Sequence, residues 1–202
     1  AANGAIDVFV SNAGVGFSDM PGGHAAGGSN ETWETSWQIN VMASVYASRA
    51  LIPNWITRGQ GRMVIVASAA GLLAQVHSGS YTVTKHAAVG FAEYLAIMHK
   101  QDGIKVNCIC PQYVKTNMTK GMTEVKDGPN KHIDASDVAD SLFAAMEKDQ
   151  FLVLPHPVIR DYYLGRASDA DNYISAMAYQ KSKMDAGHVP GMREQEQKKT
   201  ER

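Results

Sequence analysis

The sequence predicts an α/β fold, in which one parallel sheet carries helices on both faces. Four short apolar runs are mostly continuous rather than alternating, as in strands buried on both faces: 5–10, 62–68, 104–110 and 151–155. Helix-length patterns separate these runs: 30–57, 81–99 and 136–148. Because strand and helix alternate, the chain should use right-handed crossovers and build a doubly wound parallel sheet.

Each helical segment has its own local signal. The segment 30–57 places Trp33, Trp37 and Val41 near helical spacing and follows a candidate cap at Ser29 or Asn30. The segment 81–99 repeats apolar residues at the same period, and 136–148 begins at a good capping position and ends on a lysine. Residues after 155 read as two further helices with no strand between them. We therefore expect one domain over 1–185, with C-terminal helices in 156–185, and a polar tail over 186–202.

Composition excludes several classes of function. The net charge of −1 over 202 residues gives no reason to expect binding to nucleic acid or to an anionic membrane. The most apolar stretch, 63–74, is too short to span a bilayer, and the N-terminus lacks signal-peptide features. Cys108 and Cys110 should be buried, reduced thiols, which fits a cytoplasmic protein. The seven histidines show no metal-binding spacing, so no metal site is expected.

Small, polar or turn-forming residues follow three of the predicted strands. The segments are SNAG after the first strand, SAAG after the second and PQYVKTNM after the third. Ligands of open parallel sheets bind outside the carboxyl ends of the strands. The sequence therefore predicts a binding site at this edge of the sheet.

A tyrosine and a lysine lie four residues apart in the helix that follows the second strand. Tyr81 and Lys85 would share one helix face about a turn apart. The spacing alone is a weak signal, because Tyr179 and Lys183 repeat it. Only the first pair follows a strand-end serine, since Tyr81 lies 13 residues beyond Ser68. The second pair is expected to lie on a surface helix.

Taken together, these motifs resemble the short-chain dehydrogenase/reductase family over roughly residues 5–155. The motifs that match the family in order are Asn12-Ala13-Gly14, Asn40, Ser68, Tyr81 with Lys85, and the turn with Pro111, Val114 and Thr116. The resemblance implies a Rossmann-like sheet and an oxidoreductase that uses NAD or NADP to interconvert a secondary alcohol and a ketone. It also implies a homo-oligomer, a dimer or a tetramer.

The resemblance assigns a role to each matching residue. Tyr81 would be the acid/base, Ser68 would hold the substrate oxygen, and Asn40 would hold a water that links Lys85 to solvent. A phenol is a poor base at neutral pH, and a nearby ammonium favours the phenolate, so Lys85 should lower the pKa of Tyr81. Lys85 would also bind the nicotinamide ribose. The remaining cofactor contacts would come from Asn12, Ala13, Gly14, Tyr81, Pro111, Val114 and Thr116.

The substrate and the direction of the reaction stay open. Gln75 and His77 lie where the family lines its substrate pocket, and Met118 and Met122 mildly favour a lipophilic alcohol or ketone. Isomerase or lyase chemistry on the same scaffold ranks lower than simple oxidation and reduction.

Two departures from the family pattern bear on function. Gln112 stands where the family has a glycine, and the chain shows no TGxxxGxG phosphate loop before its first strand. The glycines at 14, 16, 22, 23, 27 and 28 do not have that spacing. We therefore expect a fragment of a longer protein. The alternative is a non-catalytic chain kept as an interaction or structural module.

Overall fold

The computed structural model describes residues 4–19, 24–25 and 27–188. Its sheet has four parallel strands that lie side by side in chain order. The strands are β1 (Val8–Ser11), β2 (Gly61–Val66), β3 (Ile104–Ile109) and β4 (Leu152–Val153). Each overlaps one of the apolar runs, so the predicted strands and their parallel direction are confirmed.

The helices also lie where the sequence pattern placed them. They are α1 (Asn30–Trp37), α2 (Ala43–Arg58), α3 (Gly79–Met98), α4 (Ala135–Glu147), α5 (Val158–Ser168) and α6 (Ala170–Asp185). Ser29 caps α1, since its hydroxyl accepts the Thr32 N–H at 3.1 Å. The prediction of a single α-helix over 30–57 was wrong in one respect. A π-helical turn, Gln38–Met42, separates α1 from α2.

Both faces of the sheet are covered, and the alternation within β2 shows how. Met63 and Ile65 point into the larger core, where they pack with Trp55 of α2 and Ala88 of α3. Val64 points to the other face and joins the cluster that contains α4. These side chains are almost fully buried, which explains why β2 reads as a continuous apolar run. The doubly wound arrangement is therefore confirmed.

β1 differs from the central strands on its outer side. Val8 and Val10 are 44% and 47% exposed, while Phe9 between them packs against the larger core. On the same face of the sheet as Val8 and Val10, α4 contacts β3 and β4. Within the described residues, β1 thus pairs with β2 alone and has one buried face.

Other expectations have the following outcome. Cys108 and Cys110 are buried and form no disulfide, as predicted, and their thiols share a hydrogen bond at 4.0 Å. In the parts of the chain that are described, no helix is both long enough and apolar enough to cross a bilayer. Most of the predicted polar tail, 189–202, and the glycines at 22 and 23 lie outside the described residues.

Candidate active site

The loop after β1 lies directly against the helix that carries Tyr81 and Lys85. A Cβ atom on Gly14 would lie 3.3 Å from the Lys85 Nζ and 3.4 Å from the Asn40 Oδ1. A Cβ on Gly16 would lie 3.3 Å from the Tyr81 ring. The absence of side chains at these two positions therefore lets the strand-end backbone approach both groups closely.

Lys85 is buried where the loop after β1 meets α3. Its side chain crosses from α3 to β2, where its Nζ donates to the Val66 carbonyl at 3.0 Å. The same nitrogen lies 5.6 Å from the centre of the Tyr81 ring. Lys85 is only 4% exposed, which is rare for a lysine and calls for an explanation by function or by pairing.

Burial dominates the titration of both groups. It lowers the pKa of Lys85 to about 8, while the nearby thiols of Cys110 and Cys108 act in the opposite direction. Burial also raises the pKa of Tyr81 above its usual value, and the Ser68 hydroxyl opposes that rise. The pKa of Tyr81 is thus raised overall, with removal from water as the largest cause, and the lowering expected from Lys85 stays a prediction.

Ser68 is held at the end of β2 by its own turn. Its backbone is extended, and its hydroxyl accepts the Ala70 N–H at 3.1 Å at the start of a short 3₁₀ helix, Ala69–Gly71. The residue is 8% exposed. This turn fixes the position of the hydroxyl next to Tyr81, where it could also hold a substrate oxygen.

Asn40 fastens three parts of the molecule together from within the π-helical turn. Its Oδ1 accepts the Val15 N–H, and its Nδ2 donates both to the Val15 carbonyl and to the Thr84 hydroxyl, each at 2.9 Å. Both N–H groups of the amide are thus used. The side chain acts as a clamp between the loop after β1 and α3, and its predicted role in holding a water stays a prediction.

The predicted site residues in the turn after β3 do not all contact the site. The Pro111 carbonyl accepts the Ala69 N–H at 2.7 Å, which ties this turn to the residue after Ser68. Val114 forms an isolated bridge with Ile133. Thr116 is exposed, and its recorded hydrogen bonds join it to Thr119 in its own loop. The structure therefore brings Pro111 to the site, and it shows no contact between Thr116 and the four candidate catalytic residues.

Gln112, which replaces the glycine of the family pattern, is fixed by a buried histidine. Its N–H donates to the His156 Nδ1 at 3.2 Å, and the His156 Nε2 in turn donates to the Lys131 carbonyl at 3.0 Å. The Gln112 Oε1 is buried, and it has no hydrogen-bond partner among the described residues. Gln112 also forms part of the wall of a cavity.

This cavity of about 750 Å³ lies beside Ser68, between the strand ends and the pair α5–α6. Gln75 lines it, and the backbone of Gln75 is bonded to the Thr82 hydroxyl. His77 has a positive φ of 60° and bonds through its Nε2 to Asp185 at 2.8 Å. Of the two proposed substrate residues, Gln75 thus lies in the cavity wall and His77 fastens the end of α6.

The second tyrosine–lysine pair has almost the same internal geometry as the first. The Lys183 Nζ lies 5.5 Å from the centre of the Tyr179 ring, against 5.6 Å for Lys85 and Tyr81. Tyr179, however, is 64% exposed on α6. The two pairs have the same spacing and nearly the same distance between ammonium and ring, and they differ in how deeply they are buried.

Sequence reasoning missed two contributors to this site. Thr84 links Asn40 to α3, and Asp19 accepts the Gly79 N–H at 2.8 Å at the first turn of α3. Asp19 is 7% exposed and lies in the glycine-rich loop, far from Gly79 in sequence. A carboxylate at a helix N-terminus is favourable, but only the folded chain shows which helix it meets.

Fold and site together define a doubly wound α/β protein with serine, tyrosine and lysine gathered at the carboxyl edge of a parallel sheet. A family model described as short chain dehydrogenase matches residues 1–127. The chain therefore belongs to the short-chain dehydrogenase family, and the resemblance noted in the sequence is confirmed.

Individual relatives agree with this assignment. The chain is 30% identical over 155 residues to a 3-oxoacyl-acyl-carrier-protein reductase of Buchnera aphidicola, covering 73% of this chain and 62% of that protein. It is 33% identical over 135 residues to a D-beta-hydroxybutyrate dehydrogenase of Rhizobium meliloti, covering 60% and 49%. The chain thus spans less than two thirds of the length of either relative.

Solved structures show the same fold. A short chain dehydrogenase/reductase from Burkholderia phymatum in complex with NAD has a TM-score of 0.71 at 24% identity, covering 83% of this chain and 67% of that one. A gluconate 5-dehydrogenase from Burkholderia cenocepacia, in complex with NADP and tartrate, has a TM-score of 0.67 at 18% identity, covering 78% and 66%.

Proposed function

We propose that this chain carries the catalytic part of an NAD- or NADP-dependent oxidoreductase that interconverts a secondary alcohol and a ketone. The observation that carries the proposal is that a partly buried Tyr81 lies with the buried Lys85 and Ser68 at the carboxyl edge of the sheet. The pair on α6, with Tyr179 exposed and Lys183 half-buried, shows that a tyrosine and a lysine at this spacing need no such burial. Burying a lysine is costly, and perturbed groups in a cleft are candidates for function.

Tyr81 is the proton donor in this scheme when the ketone is reduced. Because its pKa is raised, the phenol is protonated at neutral pH and can give its proton to a carbonyl oxygen. The Ser68 hydroxyl holds that oxygen in place. In the reverse direction the phenolate must form first, so oxidation of the alcohol gains from a higher pH.

Lys85 supports this proton transfer from its position beside the Tyr81 ring. With a pKa of about 8 it is mostly an ammonium at neutral pH, and it can release a proton at a modest increase in pH. Asn40 is a positioning residue, because its amide holds the backbone of Val15 against α3. Together they keep the loop after β1 and the tyrosine in fixed relation.

The residues present fit a nicotinamide nucleotide in one respect that the structure shows. At Gly14 even a Cβ would lie 3.3 Å from the Lys85 Nζ, so any side chain there would crowd a ribose hydroxyl that approaches the ammonium. Lys85, Asn12, Ala13, Gly14, Pro111, Val114 and Thr116 would hold this part of the cofactor. When bound, the nicotinamide supplies or accepts the hydride. The two solved relatives contain NAD in one case and NADP in the other.

We also propose that the protein is a cytoplasmic homo-oligomer that assembles through α2 and α3. Both helices expose large apolar side chains: Tyr46 and Ile56 on α2, and Tyr94 and Ile97 on α3. Large exposed apolar side chains, where they form a patch, mark protein interfaces. Light scattering of the complete natural protein would give a dimer or a tetramer, and a monomer at micromolar concentration would contradict the proposal.

The decisive experiment is Tyr81→Phe in the complete natural protein, with nicotinamide absorbance as the readout over a panel of alcohols and ketones. Loss of the phenolic proton should lower kcat on the order of 10²- to 10⁴-fold. Tyr163→Phe is the matched control, because that tyrosine lies on α5 and does not line the cavity. Full activity in Tyr81→Phe would contradict the proposal. A wild-type protein that turns over no member of the panel would favour the interaction module.

A further inference from the structure

The cavity beside Ser68 indicates which kind of alcohol the site takes. Its wall begins at Ala69 and Ala70, the residues that follow Ser68, and extends to α5 and α6. A volume of about 750 Å³ is within the range of pockets that enclose drug-sized ligands. A small hydroxy acid would leave most of this space unfilled.

The wall is rich in aromatic and thioether groups. Four tyrosines and two methionines take part: Tyr113, Tyr162, Tyr173, Tyr179, Met177 and Met184. Flat aromatic faces pair well with other rings, and methionine adapts to irregular apolar shapes. This lining suits a rigid, ring-bearing ligand better than a chain of hydroxyl groups.

The titratable groups of the wall are of mixed sign: Asp161 lies among Arg166, Lys183 and His188. Arg166 is already engaged, because its Nη1 donates to the Leu72 carbonyl and to the His86 Nε2, the latter at 2.8 Å. Asp161 and Lys183 also line the cavity, so both signs of charge are present. An anionic group in this cavity would meet the Asp161 carboxylate as well as the cationic side chains.

The helix α6 supplies an independent reason to expect an apolar ligand. None of its 16 residues is buried, although amphipathic helices are normally held by a buried apolar face. Tyr173, Met177 and Met184 face the cavity wall and are only partly covered. A ring-bearing ligand would cover these side chains and so complete the packing of α6.

We infer that the substrate is a bulky, mostly apolar secondary alcohol or ketone with several fused or linked rings, held between loop 72–76 and α6. The inference rests on the proposed function, since the cavity is a substrate site only if hydride transfer takes place beside Ser68.

Gly165 offers a direct test, because it lines the cavity within α5 and a Cβ added there would meet no atom within 4 Å. Gly165→Phe should place a ring in the cavity without disturbing the fold. Leu164→Phe is the matched control, because it adds a ring to the neighbouring residue, which is 60% exposed and does not line the cavity. Both variants are made in the complete natural protein.

The probes are testosterone, 4-phenylcyclohexanol and 3-hydroxybutyrate, studied by calorimetry and by nicotinamide absorbance. We expect the two ring compounds to bind and to be oxidised, and Gly165→Phe to weaken their binding about tenfold or more. Leu164→Phe should leave their binding unchanged.

Three results would overturn the inference. If 3-hydroxybutyrate alone is oxidised, the substrate class is wrong and the proposed function stands. If the ring compounds are oxidised but Gly165→Phe binds them as well as wild type, the cavity is not their site. If they bind without turnover of any probe, the proposed function fails, and the substrate assignment fails with it.

Discussion

Lys85 shows how strongly burial can act on a single residue. Its pKa falls from 10.5 to about 8, chiefly because the residue is removed from water, with only 4% of its surface exposed. A shift of this size corresponds to roughly 3 kcal/mol. The buried ammonium therefore destabilises the fold at neutral pH, and the site keeps it in spite of that cost.

The first prediction concerns Lys85→Met. At pH 7 the variant should be more stable than wild type by about 1–3 kcal/mol, since it loses the buried charge but leaves the Val66 carbonyl without its donor. The catalytic activity should be lost. Urea unfolding followed by circular dichroism measures the stability, and Lys183→Met, on the half-buried lysine of α6, should change it little.

The same residue makes a prediction about pH. The folded-state pKa near 8 lies below the unfolded value near 10.5, so the unfolded chain binds more protons between these two values. The contribution of Lys85 therefore becomes more favourable as pH rises from about 8 to about 10.5. The advantage of Lys85→Met should shrink over that window when both proteins are unfolded at several pH values. An advantage that stays constant from pH 7 to pH 10 would contradict the pKa shift.

The sequence identified the Tyr81–Lys85 pair, but it did not predict the direction in which the pKa of Tyr81 shifts. The strand-end serine 13 residues earlier distinguished this pair from the one on α6, because a strand end fixes where a side chain can point. The direction of the Tyr81 pKa shift could not be obtained in that way. It depends on how much water the folded loops exclude, and no local pattern records this.

At the scale of elements, the site depends on very close approaches between backbones. The 3₁₀ helix after Ser68 lies against α3, so that a Cβ on Gly71 would be 2.5 Å from the Lys85 carbonyl oxygen and 2.7 Å from the Val89 Cγ2. The first of these atoms is backbone and cannot move aside. Gly71 thus sets the distance between the Ser68 turn and the helix of Tyr81.

We predict that Gly71→Ala destabilises the protein by about 1–3 kcal/mol, because the added methyl group pushes the 3₁₀ helix away from α3. It should also lower kcat by moving Ser68. Gly90→Ala, in α3, is the control, since a Cβ there meets no atom within 4 Å, and it should stabilise α3 by up to about 1 kcal/mol. Chemical unfolding of the two variants side by side gives the comparison. Equal stability in both would show that the close approach has little consequence.

Most of these elements could be predicted from the sequence, but the π-helical turn could not. The apolar spacing over 30–57 is continuous and predicts one helix. The turn at Gln38–Met42 coincides with Asn40, whose contacts to Val15 and Thr84 lie 25 and 44 residues away. A distortion of this kind serves a long-range contact, and π-helical turns often occur at functional sites. Helical periodicity contains no information about it.

Across the whole molecule, stability should be unevenly distributed. α3 contributes six buried residues to the protein interior, whereas α6 contributes none. α6 is joined to loop 72–78 by polar contacts, namely the Ala74 N–H to the Tyr173 Oη at 2.7 Å and His77 to Asp185 at 2.8 Å. The sequence predicted two helices after 155, but not that the second would be held by so little apolar burial, because that depends on the cavity beneath it.

The last prediction follows from this difference. In native-state hydrogen exchange, the amides of α6 should exchange through local opening well before those of α3 and β2, which should require global unfolding. Tyr173→Phe removes the hydrogen bond to Ala74, while the Arg166 contact with the ring at 5.7 Å can persist. The variant should therefore accelerate exchange in α6 and leave α3 unchanged. If α6 were as well protected as α3, its attachment to the rest of the fold would be stronger than these contacts supply.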